Sequence, residues 1–202
     1  PPHAPSLSSF PAHINQPTPF SIHDILRITG QFAPSSSYMM RRDLLTAFPP
    51  WFEDAPVGDF FLEAYAMTIG DGWWLPDVMS TYRVFSAGSW SQVLHQNTTR
   101  QRAFAQQMLT CLDAMALDPA MIPLQPSYSL KRACLLTTLA TACLLSKDYK
   151  AFKGAISDSV RDLPPWSITQ AALYRLRHTP RLAARLYKAK LSLHHLKKRI
   201  SR

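Results

Sequence analysis

A carboxylate that opens a helix is a fixed proton acceptor. Backbone N–H groups and the helix macrodipole stabilise it as an anion, and from there it can take a proton from a bound hydroxyl. Asp59 holds such a position, between Gly58 and the run Phe60-Phe61-Leu62. The same position is also the ordinary place for a helix cap, so chemistry and capping compete for it. Glu53-Asp54 is a nearby rival, in a proline-flanked loop where solvation is the plainer account. Downstream, Trp73 and Trp74 are adjacent. On a strand they point to opposite faces, one toward the core and the other free to line a cleft and stack on the C–H face of a sugar ring. Arg83, next to Tyr82, could hold a phosphate or pair with a local carboxylate such as Asp77.

Other chemistries lack their residues. Ser35-Ser36-Ser37 has no histidine or acid at triad-like spacing. The histidines show no zinc motif, and His194-His195 are adjacent in a helical stretch, facing different ways. No glycine loop of the phosphate-cradling kind occurs. Cys111, Cys134 and Cys143 are odd in number and widely spaced, which predicts buried thiols rather than a disulfide framework or a metal site. A reducing, cytoplasmic compartment is the simplest setting for them.

The elements that must position these groups change character near residue 91. Ten of the seventeen prolines lie before residue 60. Residues 1–19 are expected to be extended and weakly ordered. Ser21 caps a short helix whose Ile22, Ile25 and Leu26 share a face, with Gly30 as its stop. Ser36–Met40 reads as a buried strand ending in Arg41-Arg42. Phe48-Pro49-Pro50-Trp51-Phe52 must be a loop. Phe60, Phe61, Ala64 and Tyr65 recur at helical spacing after Asp59. Gly70-Asp71-Gly72 is a turn, followed by strands over Trp73–Leu75 and Val78–Val84. Beyond Trp90 the pattern is helical: Thr98–Leu117, Ser129–Leu145, Tyr149–Val160, Ser167–Arg177 with Ser167 as cap, and a last helix from Pro180. The most apolar run, Ala133–Leu145, is too short to span a bilayer.

The chain has 202 residues, 47% of them hydrophobic, and a net charge of +9. The excess is local. Ten Lys or Arg residues lie between Arg175 and Arg202, and no Asp or Glu follows Asp162. The basicity therefore belongs to a tail whose partner is anionic.

Several blocks, in this order, carry a resemblance: Pro34-Ser35-Ser36-Ser37-Tyr38-Met39-Met40-Arg41-Arg42, Phe48-Pro49-Pro50-Trp51-Phe52, Gly58-Asp59-Phe60-Phe61-Leu62, Asp77-Val78-Met79-Ser80-Thr81-Tyr82-Arg83 and Gly88-Ser89-Trp90-Ser91. Together they resemble the second half of bacterial family-two glycosyltransferases of the GT-A fold. The resemblance implies an inverting transfer from a nucleotide-sugar donor to a hydroxyl of a cell-surface glycan or lipid-linked acceptor. It puts the catalytic base at Asp59 and the segment from Ser35 to Arg42 near donor sugar and acceptor. Ser36, Ser37, Trp51, Trp74 and Arg83 become the substrate-binding candidates. The family's histidine two residues after the arginine is Phe85 here, which cannot bind a metal. Its Asp-any-Asp metal motif and nucleotide-binding strands have no counterpart in residues 1–34. A divalent metal, Mg or Mn, is thus expected for the complete enzyme, with ligands outside this chain. Alone, the chain is expected to be an inactive fragment.

The expected fold class is α/β: a partial GT-A-type sheet, second half only, in residues 1–91, then an α-helical C-terminal bundle in residues 92–202. The alternative is a non-enzymatic helical interaction or membrane-docking module. In the tail, Leu182, Leu186, Ala189, Leu193, Leu196 and Ile200 recur at spacings of three and four, giving an apolar stripe. Such stripes usually serve a core. With Arg181, Arg185, Lys188, Lys190, Lys197, Lys198, Arg199 and Arg202 around it, residues 180–202 also suit an anionic membrane surface, placing the protein peripherally at the inner membrane face. No nucleic-acid partner is expected.

Overall fold

The computed structural model describes residues 15–28, 32–33, 35–45, 47–77, 92–94 and 97–200. The strand expected over Val78–Val84 and the stop at Gly30 lie outside them. Seven helices are described: α1 (Ile22–Arg27), α2 (Gly58–Ile69), α3 (Thr98–Met115), α4 (Gln125–Leu145), α5 (Tyr149–Asp158), α6 (Ile168–Arg175) and α7 (Pro180–Ile200). Two short strands, β1 (Thr18–Phe20) and β2 (Gly72–Trp74), pair antiparallel, with Thr18 opposite Trp74 and Phe20 opposite Gly72. The coarse expectation holds: a sheet-bearing first part is followed by helices. The sheet, however, is a two-stranded ribbon among the described residues.

α4 is the centre. α3 and α5 pack along it, and α1 and α7 also rest on it. Its inward residues Leu135, Leu136, Leu139, Ala140, Cys143 and Leu144 are all buried. They share one buried cluster with Ile25 and Leu26 of α1, Phe60 and Phe61 of α2, and Phe152 and Ile156 of α5. The boundary placed at residue 91 falls outside the described residues, and this cluster extends to both sides of it.

Local chemistry sets the helix ends. α4 begins at Gln125, ahead of the expected Ser129, because Pro126 sits in the first turn, where its missing N–H is no loss. Asn97 and Asp148 cap α3 and α5, accepting from the N–H groups of Arg100 (3.0 Å) and Ala151 (3.0 Å). Ser167 caps α6 as expected, through the N–H of Gln170 at 3.1 Å. Lys147 adopts φ 64°. That left-handed turn lets the Asp148 N–H reach the Cys143 carbonyl at 2.9 Å and closes α4 against α5 as a helical hairpin.

The expected strand over Ser36–Met40 is corrected. Ser35–Ser37 forms a single 3-10 turn, closed by the Tyr38 N–H on the Ser35 carbonyl at 3.3 Å, and Met39 is 88% exposed. Short polar side chains favour such turns over a strand ladder. The ribbon partner came instead from Thr18–Phe20, in the stretch read as weakly ordered. Gly72 leaves room for its partner's side chain, since a Cβ there would lie 2.4 Å from the Phe20 ring and 2.8 Å from Met67 Sδ.

Candidate functional site

Asp59 is the second residue of α2, not its cap. Val57 holds the capping position, in extended conformation. Asp59 lies in the first turn, half-buried, and its Oδ1 accepts from the Phe60 N–H at 2.9 Å. One turn on, Glu63 shares the face. Glu63 is only 5% exposed, on the side of α2 that also buries Phe60 and Ala64. Its Oε1 accepts from the Tyr38 hydroxyl and from the Ala33 N–H at 3.3 Å. Its Oε2 is buried without a hydrogen-bond partner.

Across from this helix stands Lys131 of α4, 3% exposed. Its Nζ donates to the Ile28 carbonyl at 2.7 Å and lies 4.3 Å from the centre of the Phe60 ring. Ile28 ends α1, so the ammonium closes that helix's negative pole. His23 Nδ1, 2.9 Å from Ser127 Oγ, ties α1 to the first turn of α4.

Burial governs the titration of both charges. It pushes the Glu63 carboxyl up to about 7, against the opposing hydrogen bonds from Tyr38 and Ala33. It pulls the Lys131 ammonium down to about 8, partly resisted by Cys134, Glu63 and Asp59. The Tyr38 hydroxyl also lies 2.7 Å from the Ala33 carbonyl.

The structure brings some expected site residues together and separates others. Ser36 and Ser37, exposed on their 3-10 turn, immediately precede Tyr38, and the Tyr38–Glu63 bond fastens that turn to the helix bearing Asp59. Trp51 is elsewhere: 9% exposed, its indole N–H donates to Asp118 Oδ2 at 3.2 Å and its ring packs near Phe61. Its carbonyl accepts from Cys111 Sγ at 3.1 Å, so its place is in the core. The two ribbon indoles face opposite ways, and the open one is Trp73, 60% exposed, while Trp74 is half-buried. Arg83 lies outside the described residues. Glu53 and Asp54 are exposed in the turn after Trp51.

Glu63, Tyr38 and Lys131 escaped the sequence reading. A signal existed for the two charges. Glu63 is an acid on the inward face set by Phe60 and Ala64, and Lys131 lies three and four residues before the buried Cys134 and Leu135. Among the described residues no three His, Cys, Asp or Glu side chains gather to hold a metal ion. The ligands of the divalent ion that the resemblance implies are expected outside this chain. The three cysteines are buried free thiols, all pushed upward by burial.

Compared with protein-family models, with curated proteins and with solved structures, the chain matches none.

Proposed function

We propose that this chain is the acceptor-side part of an inverting glycosyltransferase of the GT-A type, with Asp59 as general base. The observation that carries the reading is the fastening of the Ser35–Ser37 turn to α2 through Tyr38 and Glu63. It sets exposed serine hydroxyls beside the helix whose first turn bears a carboxylate. Asp59 takes the proton of an acceptor hydroxyl as that oxygen attacks the anomeric carbon of the donor sugar. The new C–O bond forms on the face opposite the breaking bond to the nucleoside diphosphate, which leaves with the electron pair. Glu63 is a positioning residue: it holds the serine turn against α2 and touches no reacting atom. Exposed Trp73 offers an indole face to a sugar ring. Nucleotide binding and the divalent ion belong to a donor-side half that this reading places outside the chain.

The test is Asp59→Asn in a transferase that contains this chain together with a nucleotide-sugar-binding half. Transfer falls at least about a hundredfold, the scale for removing a general base, while donor binding and melting temperature hold. Equal turnover would move the base to Glu53, Asp54 or elsewhere. Nucleotide-sugar turnover by the 202 residues alone would defeat the half-enzyme reading.

A further inference from the structure

α7 turns Leu182, Leu186 and Leu193 away from the protein. It meets the bundle through Ala183, which is fully buried, with Ala184 and Tyr187 packed beside it, and its neighbours there are α4 and α5. Leu182, Leu186 and Leu193 are 46%, 53% and 61% exposed, and Ala189 is exposed with them. At about 100° per residue this strip lies roughly 140° around the helix from the line of contact. From Leu182 to Leu193, the stripe that a buried helix would present to its core is here the outer surface.

Charge frames the strip. By the same rotation Arg181, Arg185 and Lys188 lie on one side of the strip and Lys190, whose Nζ donates to the Thr169 hydroxyl of α6, on the other; all four are exposed. No acid follows Asp162 to neutralise them. We propose that α7 docks the protein on an anionic lipid surface, lying in the plane of the membrane with the leucines among the acyl chains and the basic side chains at the phosphates. A bilayer supplies what this face lacks on both counts: an apolar layer directly beneath a plane of negative charge. Basic side chains flanking an apolar strip extend their stems along it and keep their charged ends at the interface. A protein groove would need acidic walls on both sides of the strip. No described helix is long and apolar enough to cross a membrane, so the helix lies on the surface. The proposal is independent of the sugar-transfer reading.

The test is co-sedimentation of the full chain with phosphatidylglycerol or phosphatidylcholine vesicles. The chain binds the first and not the second. Binding is lost between about 0.1 M and 1 M salt, as the Debye length falls from about 10 to 3 Å. The variant Leu182→Ser/Leu186→Ser/Leu193→Ser keeps the melting temperature, because these side chains are exposed, and loses at least tenfold in partitioning, roughly the loss of three partly buried leucines. Leu186→Ser alone moves the same way by less. Arg181→Gln with Arg185→Gln loses about fivefold per residue. Parental binding by the triple leucine variant, or equal binding to both lipids, overturns the proposal. So does a dimer in solution that the leucine changes abolish while vesicle binding is absent. Capture on short DNA or RNA without vesicle binding overturns it too.

Discussion

Two of the buried polar junctions among the described residues are built on different terms. Between α5 and α6, Gln170 is fully buried and every polar group on its side chain is used. Its Oε1 accepts from the Trp166 N–H at 2.8 Å, and its Nε2 donates to the Ser159 carbonyl and hydroxyl at 2.8 and 3.0 Å. Among α1, α2 and α4, Glu63 and Lys131 are as deeply buried but carry charge, and Glu63 Oε2 has no partner. A neutral, satisfied side chain works as a staple at any pH. A charged, under-satisfied one is held at a cost that protonation relieves, so that junction responds to pH. The responsive junction is also the one beside Asp59.

Breaking the staple gives the largest effect that holds at every pH. Gln170→Ala removes three hydrogen bonds and strands the Trp166 N–H and the Ser159 carbonyl. Unfolding in urea should show a loss of about 3 kcal/mol, since each buried unsatisfied group costs about 1–3 kcal/mol. The loss should be the same at acid, neutral and alkaline pH. A variant as stable as the parent would mean that water replaces the amide.

The charged junction should show itself as a trough. Glu63 is raised from 4.5 to about 7, so across that window the folded chain binds more protons than the unfolded chain and stability falls as pH rises. Lys131 is lowered from 10.5 to about 8. Above 8 the unfolded chain holds the extra proton, and stability recovers as pH rises. The pair thus contributes a minimum at pH 7 to 8. Its depth is about 3–4 kcal/mol on either limb, each tenfold change in proton affinity being worth about 1.4 kcal/mol. Glu63→Gln should flatten the acid limb and Lys131→Met the alkaline one. A parent curve rising steadily from pH 5 to 7 would contradict the assignment.

The smallest effect sharpens the contrast by leaving the interior. Arg132 on α4 reaches Asp113 on α3 through Nε and a terminal nitrogen, at 2.9 and 3.3 Å. The pair is only partly covered. Arg132→Ala should cost about 0.5–1 kcal/mol, the range for exposed pairs, and added salt should shrink the difference. A loss as large as that of Gln170→Ala would show that this pair, too, is a buried junction in its energetics.

The helical half was legible because its signals are local. Apolar spacing at three and four, Ser167 as cap and the Lys-rich terminal run each lie within a few residues of the helix they define. Periodicity found α3 through α7 within a turn or so at their starts. The first half was less legible because its elements depend on distant partners. A three-residue strand has no period to read, and Thr18–Phe20 is a strand because Gly72–Trp74, far along the chain, pairs with it. The same division runs through the candidate site. Asp59 stood out by its place after Gly58. Glu63 looked like one more helical acid until Ala33 and Tyr38 from one distant stretch and Lys131 from another closed around it. Trp51 and Trp74 had the right type for a sugar platform, but packing alone decided that Trp51 lies inside and that Trp73 is the open indole.

The sequence by itself determined the helical stretches, the buried thiols and the basic stripe of the last helix, because each follows from neighbours along the chain. The tertiary structure decided which way that stripe faces and which charges lose their water. Burial is set by whatever the rest of the chain brings alongside, and no local spacing contains that.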